Sequence, residues 1–402
     1  MKRIYHELVE NHLKNLRQMA FLMGPRQVGK TTLALSLSKE ASDAHCFNWD
    51  RMDHRLLFLE GPEAIAKQVE LFELKAELPI VIFDEIHKFK KWKLFFKGFF
   101  DSYEKKAKMI ITGSARLNVY KKGGDSLMGR YFYYRVHPLT VAEIVDPSLI
   151  DEEIRKEPKE ISEADWAALL QHGGFPEPFV QRSNEFSRRL QKTRRDQLLR
   201  EDIRDDTKIQ DISQLEILAE LVRLQAAQSM EYQAFAKKIG ISIDTVKRWL
   251  EVLKSFYYCF SLQPWSKNVS RSLIKEPKLY LWDFSLVDEE GQRYENLVAC
   301  HLLKAVHFWN DRGLGDYNLH YLRNKDKLEC DFIVTKNAKP WFIVEVKTKA
   351  KSLSPDLFHF QKEIKAPHAF QVAFDLPFVQ KNCFEEKGPL IVPAKTFLAQ
   401  LV

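Results

Sequence analysis

The feature that most constrains this chain is an octapeptide, Gly24-Pro25-Arg26-Gln27-Val28-Gly29-Lys30-Thr31. It fits G-x-x-x-x-G-K-[ST] at every position. It follows an apolar run, Met19–Met23, and opens a helical stretch at Thr32 that runs to Ser38. That order suits a strand that turns abruptly into a helix. Glycines let backbone N–H groups close around a phosphate, and the helix N-terminus adds partial positive charge. Lys30 is placed to reach the β- and γ-phosphates of a nucleotide, and the Thr31 hydroxyl to ligate Mg²⁺.

Such a loop belongs at the edge of a mostly parallel sheet, and residues 19–145 read as one. Short apolar runs recur at Met19–Met23, Cys46–Trp49, Ile80–Phe83, Met109–Ile111 and Tyr131–Val136, each followed by a helix-length stretch. The run Ile80-Val81-Ile82-Phe83 ends in Asp84-Glu85. A strand that delivers two acids to its C-terminal end puts them where ligands bind in doubly wound sheets. Asp84 is expected to hold Mg²⁺ through water and Glu85 to polarise the attacking water. That division of labour points to hydrolysis. The next run ends in Thr112-Gly113-Ser114-Ala115-Arg116. Either Ser114 or Thr112 is in position to meet the γ-phosphate or the water.

Beyond this point the chain changes character. Asp146-Pro147 opens an acidic, Glu-rich stretch, and Gly173-Gly174-Phe175-Pro176-Glu177-Pro178 punctuates it. Residues 183–210 alternate Arg with acids at helical spacing. Residues 213–262 read as a helix-turn-helix. Leu215, Leu218, Leu221 and Leu224 mark one apolar face, and Ala234–Ile239 is a short second helix. Gly240-Ile241-Ser242 is the turn, with Ser242 as N-cap. Ile243–Phe256 is a third helix with Val246, Leu250 and Leu253 inward. Phe256–Leu262 would then supply a wing strand. The polar face of the third helix carries Lys247 and Arg248 for phosphates and Thr245 for a base edge. Residues 266–402 return to mixed helix and strand.

That last region holds a second constellation. Glu329-Cys330-Asp331 begins one predicted strand, and Glu345-Val346-Lys347 ends the next. A strand period of two puts Glu345 and Lys347 on one face. Glu295, on the predicted helix Tyr294–Trp309, is placed to complete a shell, and Gln361 follows on a later helix. Two carboxylates with a lysine suit phosphodiester hydrolysis with Mg²⁺ or Mn²⁺ at Asp331 and Glu345.

Composition sets outer limits. Lys plus Arg exceed Asp plus Glu by 62 − 55 = 7, which permits an anionic partner without requiring one. No apolar run approaches the ~20 residues that span a bilayer. The five cysteines are widely spaced with no C-x-x-C, so a reducing cytoplasm is the expected compartment.

The P-loop with its acid strand resembles an AAA+ ATPase of the ASCE division. More narrowly, the first ~180 residues resemble a widespread prokaryotic family that joins such a core to a C-terminal domain of unknown function. Gly129-Arg130-Tyr131, His137-Pro138-Leu139-Thr140-Val141-Ala142-Glu143 and Gly173-Gly174-Phe175-Pro176 carry that likeness. It implies that Pro176 sits beside the nucleotide base and that Arg130 or Arg116 serves as a charge-stabilising finger, in cis or from a neighbour. Residues 290–375 resemble the PD-(D/E)xK nuclease superfamily, nearest its Holliday-junction-resolvase branch, with Cys330 where Pro is common. The expected architecture is α/β. It has an AAA+ doubly wound parallel sheet over 1–145, lid or linker helices over 146–210, a winged-helix module over 211–265 and a restriction-endonuclease-like α/β domain over 266–402. The expected ligands are ATP or ADP with Mg²⁺, with branched or single-stranded DNA as partner, no membrane, and a monomer or loose oligomer as the assembly. The expected function is ATP hydrolysis that repositions the winged-helix and nuclease-like modules on nucleic acid; the alternatives are a nucleotide-dependent DNA-binding or protein-binding regulatory switch with an inactive nuclease-like scaffold, and an ATP-gated metal-dependent endonuclease.

Overall fold

Short buried strands bounded by helices make up both halves of the chain. The computed structural model describes residues 1–113, 127–206, 209, 211–266, 276–326 and 328–402. They form two compact units, 1–137 and 138–402.

In the first unit five strands are all parallel: β1 (Met19–Met23), β2 (Ala44–Asn48), β3 (Ile80–Asp84), β4 (Lys108–Gly113) and β5 (Tyr131–Arg135). Their spatial order is β2-β3-β4-β1-β5. The five predicted runs are these strands, within one or two residues at each end. β4 lies between the loop-bearing β1 and the acid-bearing β3, so three strand ends meet at one edge. The core beneath is aromatic. Phe83 of β3 packs edge-on against Phe96 and Phe99 at 5.0 and 5.2 Å, and all three are fully buried. Each buried phenyl ring contributes roughly 1.5–3 kcal/mol, and this packing fixes the strand end that carries Asp84.

The second compact unit begins at Pro138, and its first residues carry a buried anchor. Glu143 and Lys304 are both fully buried and paired at 2.5 Å, and Lys304 also donates to Thr140 at 3.0 Å. The Thr140 hydroxyl donates to the Val402 carbonyl, and the Val141 N–H donates to His301 Nε2. Burial pushes the His301 imidazole down to about 3, so it is the neutral acceptor this bond requires. The His-Pro-Leu-Thr-Val-Ala-Glu segment thus fastens this stretch to the helix Glu290–Asp311 and to the C-terminal residue. Gly174 belongs to the same anchor, since a Cβ there would lie 2.6 Å from the Leu139 carbonyl oxygen.

Three helices follow at Ile212–Leu224, Tyr232–Ile239 and Ile243–Ser255, then antiparallel strands β6 (Cys259–Leu262) and β7 (Lys278–Leu281). The Ser242 hydroxyl accepts from the Thr245 N–H, as its N-cap role demands. Val246, Leu250 and Leu253 are buried, with Trp249 beside them. The face of the first of these helices differs from the leucine spacing. Leu215, Leu218, Ala219 and Val222 are buried, whereas Leu224 is 53% exposed, because the inward stripe follows i, i+3, i+4, i+7 rather than every third residue. The last sheet has the order β12-β11-β10-β9-β8, from β8 (Tyr317–Arg323), β9 (Glu329–Lys336), β10 (Lys339–Lys347), β11 (His368–Ala373) and β12 (Pro389–Pro393). β8, β9 and β10 are antiparallel neighbours, and β11 and β12 add in parallel.

Candidate functional site

The loop after β1 is shaped by close approach. Gly24 has φ +151° and a Cβ there would fall 2.2 Å from the Val136 carbonyl oxygen, beyond the end of β5. Gly29 is left-handed at φ +96° and is the N-cap of the helix Lys30–Ser38. Both glycines are therefore required by geometry. A residue that the sequence pattern did not reveal braces the loop from behind. Arg3, buried at the N-terminus, donates to the Val28 carbonyl at 2.8 Å and to the His137 carbonyl at 2.6 Å. No local motif marks it, since only the folded chain brings residue 3 beside residue 28.

Lys30 is buried and its ammonium donates to the carbonyls of Gly24 and Pro25 at 3.0 and 2.6 Å. Burial pushes it down to about 8, and the charges of Glu85 and Asp84 oppose that shift. The lysine is thus folded onto its own loop, within the field of the acid pair. Arg26 is half-buried and Gln27 exposed at the loop tip, with Gln27 in the left-handed region at φ 60°.

Asp84 is buried and accepts three hydrogen bonds from neutral donors. Thr31 Oγ1 donates to Oδ1 at 2.8 Å, Thr112 Oγ1 donates to the same oxygen, and Asn48 Nδ2 donates to Oδ2 at 2.8 Å. These donors come from the loop helix, β4 and β2, so four elements converge on one carboxylate. Asn48 is a second residue that sequence reading missed; its signal is its place at the end of the strand next to β3. Glu85, just past the end of β3, is left-handed at φ 55°. Burial first, and then the Asp84 charge, hold the Glu85 carboxyl above its ordinary range. A raised carboxyl beside a buried aspartate is what a group that handles a water proton needs.

Thr112 meets Asp84; Ser114 and Arg116 lie outside the described residues. Arg130 does not join the loop. It precedes β5 and makes a two-pronged pair with Asp101 at 2.7 and 2.9 Å. In a parallel sheet that is the N-terminal edge, opposite the loop and the acids. Pro176 is the first residue of the helix Pro176–Gln181 in the second unit.

In the second unit, Lys247 and Arg248 are exposed and Thr245 is half-buried on the helix Ile243–Ser255. Lys247 lies 5.4 Å from the Tyr232 ring centre.

The C-terminal acids gather differently from expectation. β9 and β10 pair up to Phe332 and Val344, then part, and Asp331 Oδ2 takes the Val346 N–H at 2.8 Å in place of a ladder bond. Glu345 Oε1 accepts from Lys347 at 2.7 Å, which bears out their common face. Lys278 of β7, absent from the sequence reading, enters this cluster. Its ammonium lies 3.1 Å from Glu295, 2.5 Å from Glu329 and 3.6 Å from Asp331. Tyr280, two residues on, donates to the same Glu295 oxygen at 2.8 Å. Gln361 turns away and donates to the carbonyls of Ala366 and Lys387. Burial, then the Asp331 charge, raise both Glu295 and Glu345. At Glu295, Glu329 and Asp331 the donor set does not fit a divalent metal as it stands, because an ammonium already lies against all three carboxylates. Among the described residues, the group whose ligand atoms approach a common metal position is instead His6, Glu10 and Glu40 of the first unit, where Glu40 is exposed and Glu10 is engaged by Lys14.

A Gly-rich loop between strand and helix, an acid pair two strands away and a threonine-bearing strand between them make the arrangement of a P-loop domain. Residues 16–145 match the family model described as an AAA domain. Residues 163–289 and 290–394 match two domains of unknown function, DUF8612 and DUF4143. Two curated relatives are 23% identical over 365 residues, covering 84% of this chain and 72% of theirs: the uncharacterized protein Rv2008c of Mycobacterium tuberculosis and the uncharacterized protein Mb2031c of Mycobacterium bovis. Among solved structures, AMPPCP-bound DnaA from Aquifex aeolicus overlaps with a TM-score of 0.34 at 14% identity, covering 63% of this chain and 87% of that one. A RuvB variant from Thermotoga maritima overlaps with a TM-score of 0.31 at 18% identity, covering 67% and 92%. Among the described residues no helix is long and apolar enough to cross a membrane.

Proposed function

We propose that the chain binds ATP at the loop Gly24–Thr32, hydrolyses it, and uses the cycle to reposition the second unit on nucleic acid. The single observation that carries the reading is the convergence of Thr31, Thr112 and Asn48 on buried Asp84, with Lys30 and Glu85 in the same field. The oxygen donors of Thr31 and Asp84 fit Mg²⁺. Bound there with the nucleotide, the ion would neutralise phosphate charge as the leaving group departs. Lys30 exchanges its loop carbonyls for phosphate oxygens. Asn48 and Thr112 fix the rotamer of Asp84. Glu85 orients the attacking water and takes up its proton, a task its raised carboxyl suits. Arg130, tied to Asp101 at the far edge of the sheet, serves no role in its own site on this reading.

Nucleic acid is proposed as the partner on the strength of the three-helix module and its exposed Lys247 and Arg248. The test is ATP turnover and nucleotide affinity of the full chain. Lys30→Ala should weaken nucleotide binding. Glu85→Gln should keep binding and lower turnover by about a hundredfold or more. Unaltered turnover in both variants would refute the assignment.

A further inference from the structure

The C-terminal acid cluster contains its own cation. Glu295 comes from the helix Glu290–Asp311, and Glu329 and Asp331 from β9. Lys278 comes from β7, the strand paired with β6 of the three-helix module. Strand alternation sends Lys278 and Tyr280 to the same face, and both reach Glu295. The Lys278 side chain is only 4% exposed. An ammonium stays charged at that depth only among opposite charges and acceptors, and three carboxylates supply them at 3.1, 2.5 and 3.6 Å. A Mg²⁺ or Mn²⁺ ion needs several oxygens at about 2.1 Å. Oxygens of Glu295, Glu329 and Asp331 are taken up by an ammonium instead. Glu345 lies outside those contacts, with Oε1 held by Lys347 and Oε2 buried without a hydrogen-bond partner.

We propose that Lys278 stands in for a divalent metal in this cluster, so that the C-terminal domain binds no metal of its own and acts as a scaffold fastened to the three-helix module by that lysine. The inference concerns the second unit alone and stands whether or not the first unit hydrolyses ATP.

Mn²⁺ titration of the nucleotide-free full chain, followed by electron paramagnetic resonance, tests it. The wild-type chain should show no Mn²⁺ binding that Asp331→Asn removes. Lys278→Ala and Lys278→Met, the second retaining the apolar stem, should each gain one Mn²⁺ per chain. That gain should be about tenfold or more in affinity over the wild type, since one buried positive charge no longer opposes the metal. Adding Asp331→Asn to either variant should abolish it. Wild-type binding of one Mn²⁺ in an Asp331-dependent manner would overturn the proposal. So would folded Lys278 variants that take up no metal. The wild-type comparison decides the matter even where a Lys278 variant fails to fold.

Discussion

Two acid clusters with a nearby lysine occur in this chain, and they solve the same electrostatic problem in opposite ways. At the P-loop, Asp84 is held by two hydroxyls and an amide, all neutral, and Lys30 donates to backbone carbonyls instead of to the acid. The hydrogen bonds to Asp84 come from dipoles alone, while Lys88 lies 3.9 Å from Glu85. In the C-terminal cluster, a buried lysine from another strand contacts three carboxylates directly. The charge is met from within. Carboxylates are therefore met by dipoles at Asp84 and by a buried ammonium in the C-terminal cluster. What separates them is whether the first neighbours of the acids are dipoles or a charge.

The largest expected difference between the two is in ATP turnover. Asp84→Asn should lower it by about a hundredfold or more, because a carboxylate that helps hold Mg²⁺ becomes a neutral amide. Asp331→Asn should leave it within about twofold of wild type, since it touches none of the phosphate-binding groups. Steady-state phosphate release measures both, and equal losses would erase the distinction.

Next in size is stability. Lys278→Ala strands three carboxylates in a buried site and should cost about 3–5 kcal/mol. Asp84→Asn keeps its neutral donors and should cost about 1 kcal/mol or less. Urea denaturation of each variant would show the ranking.

A smaller effect concerns pH. Glu345 has its carboxyl raised in the folded chain, by burial first and then by the Asp331 charge, with Lys347 opposing. A raised carboxyl binds more protons folded than unfolded, so its contribution is present at acid pH and is lost as pH rises through the folded value. Wild-type stability should fall from pH 5 towards pH 8 in part through this group. Glu345→Gln should flatten that slope, read from melting temperature against pH. A steeper slope in the variant would contradict the sign.

The smallest expected effect is at the third helix of the module. If Lys247 and Arg248 meet phosphates, replacing both with Ala should weaken DNA binding and reduce the salt slope by about one to two. An unchanged slope would leave this face as a solvated one.

Much of the first site was legible because its chemistry is written in consecutive residues. The loop sets its own backbone path, and an apolar run ending in two acids sets the strand that carries them. Periodicity also placed Ser242 as a cap and put Glu345 and Lys347 on one face. The residues it missed share one property: their function depends on partners far away in sequence. Arg3 braces a loop 25 residues on, and Asn48 meets an acid 36 residues on. Leucine spacing misjudged Leu224 because a regular three-residue count drifts around a helix of 3.6 residues per turn.

By itself, then, the sequence determined a glycine-bearing loop between a strand of a parallel sheet and a helix, and the acid pair at a nearby strand end, because backbone sterics and local hydrogen bonding suffice to shape both. Only the tertiary structure decided what meets each charge. Arg130 went to Asp101 at the far edge of its sheet, Gln361 went to backbone carbonyls, and Lys278 went to Glu295, Glu329 and Asp331. Charge is paid for by proximity in space, and strand order and register, which bring β7 beside the helix Glu290–Asp311 and β9, are set by burial of the whole unit.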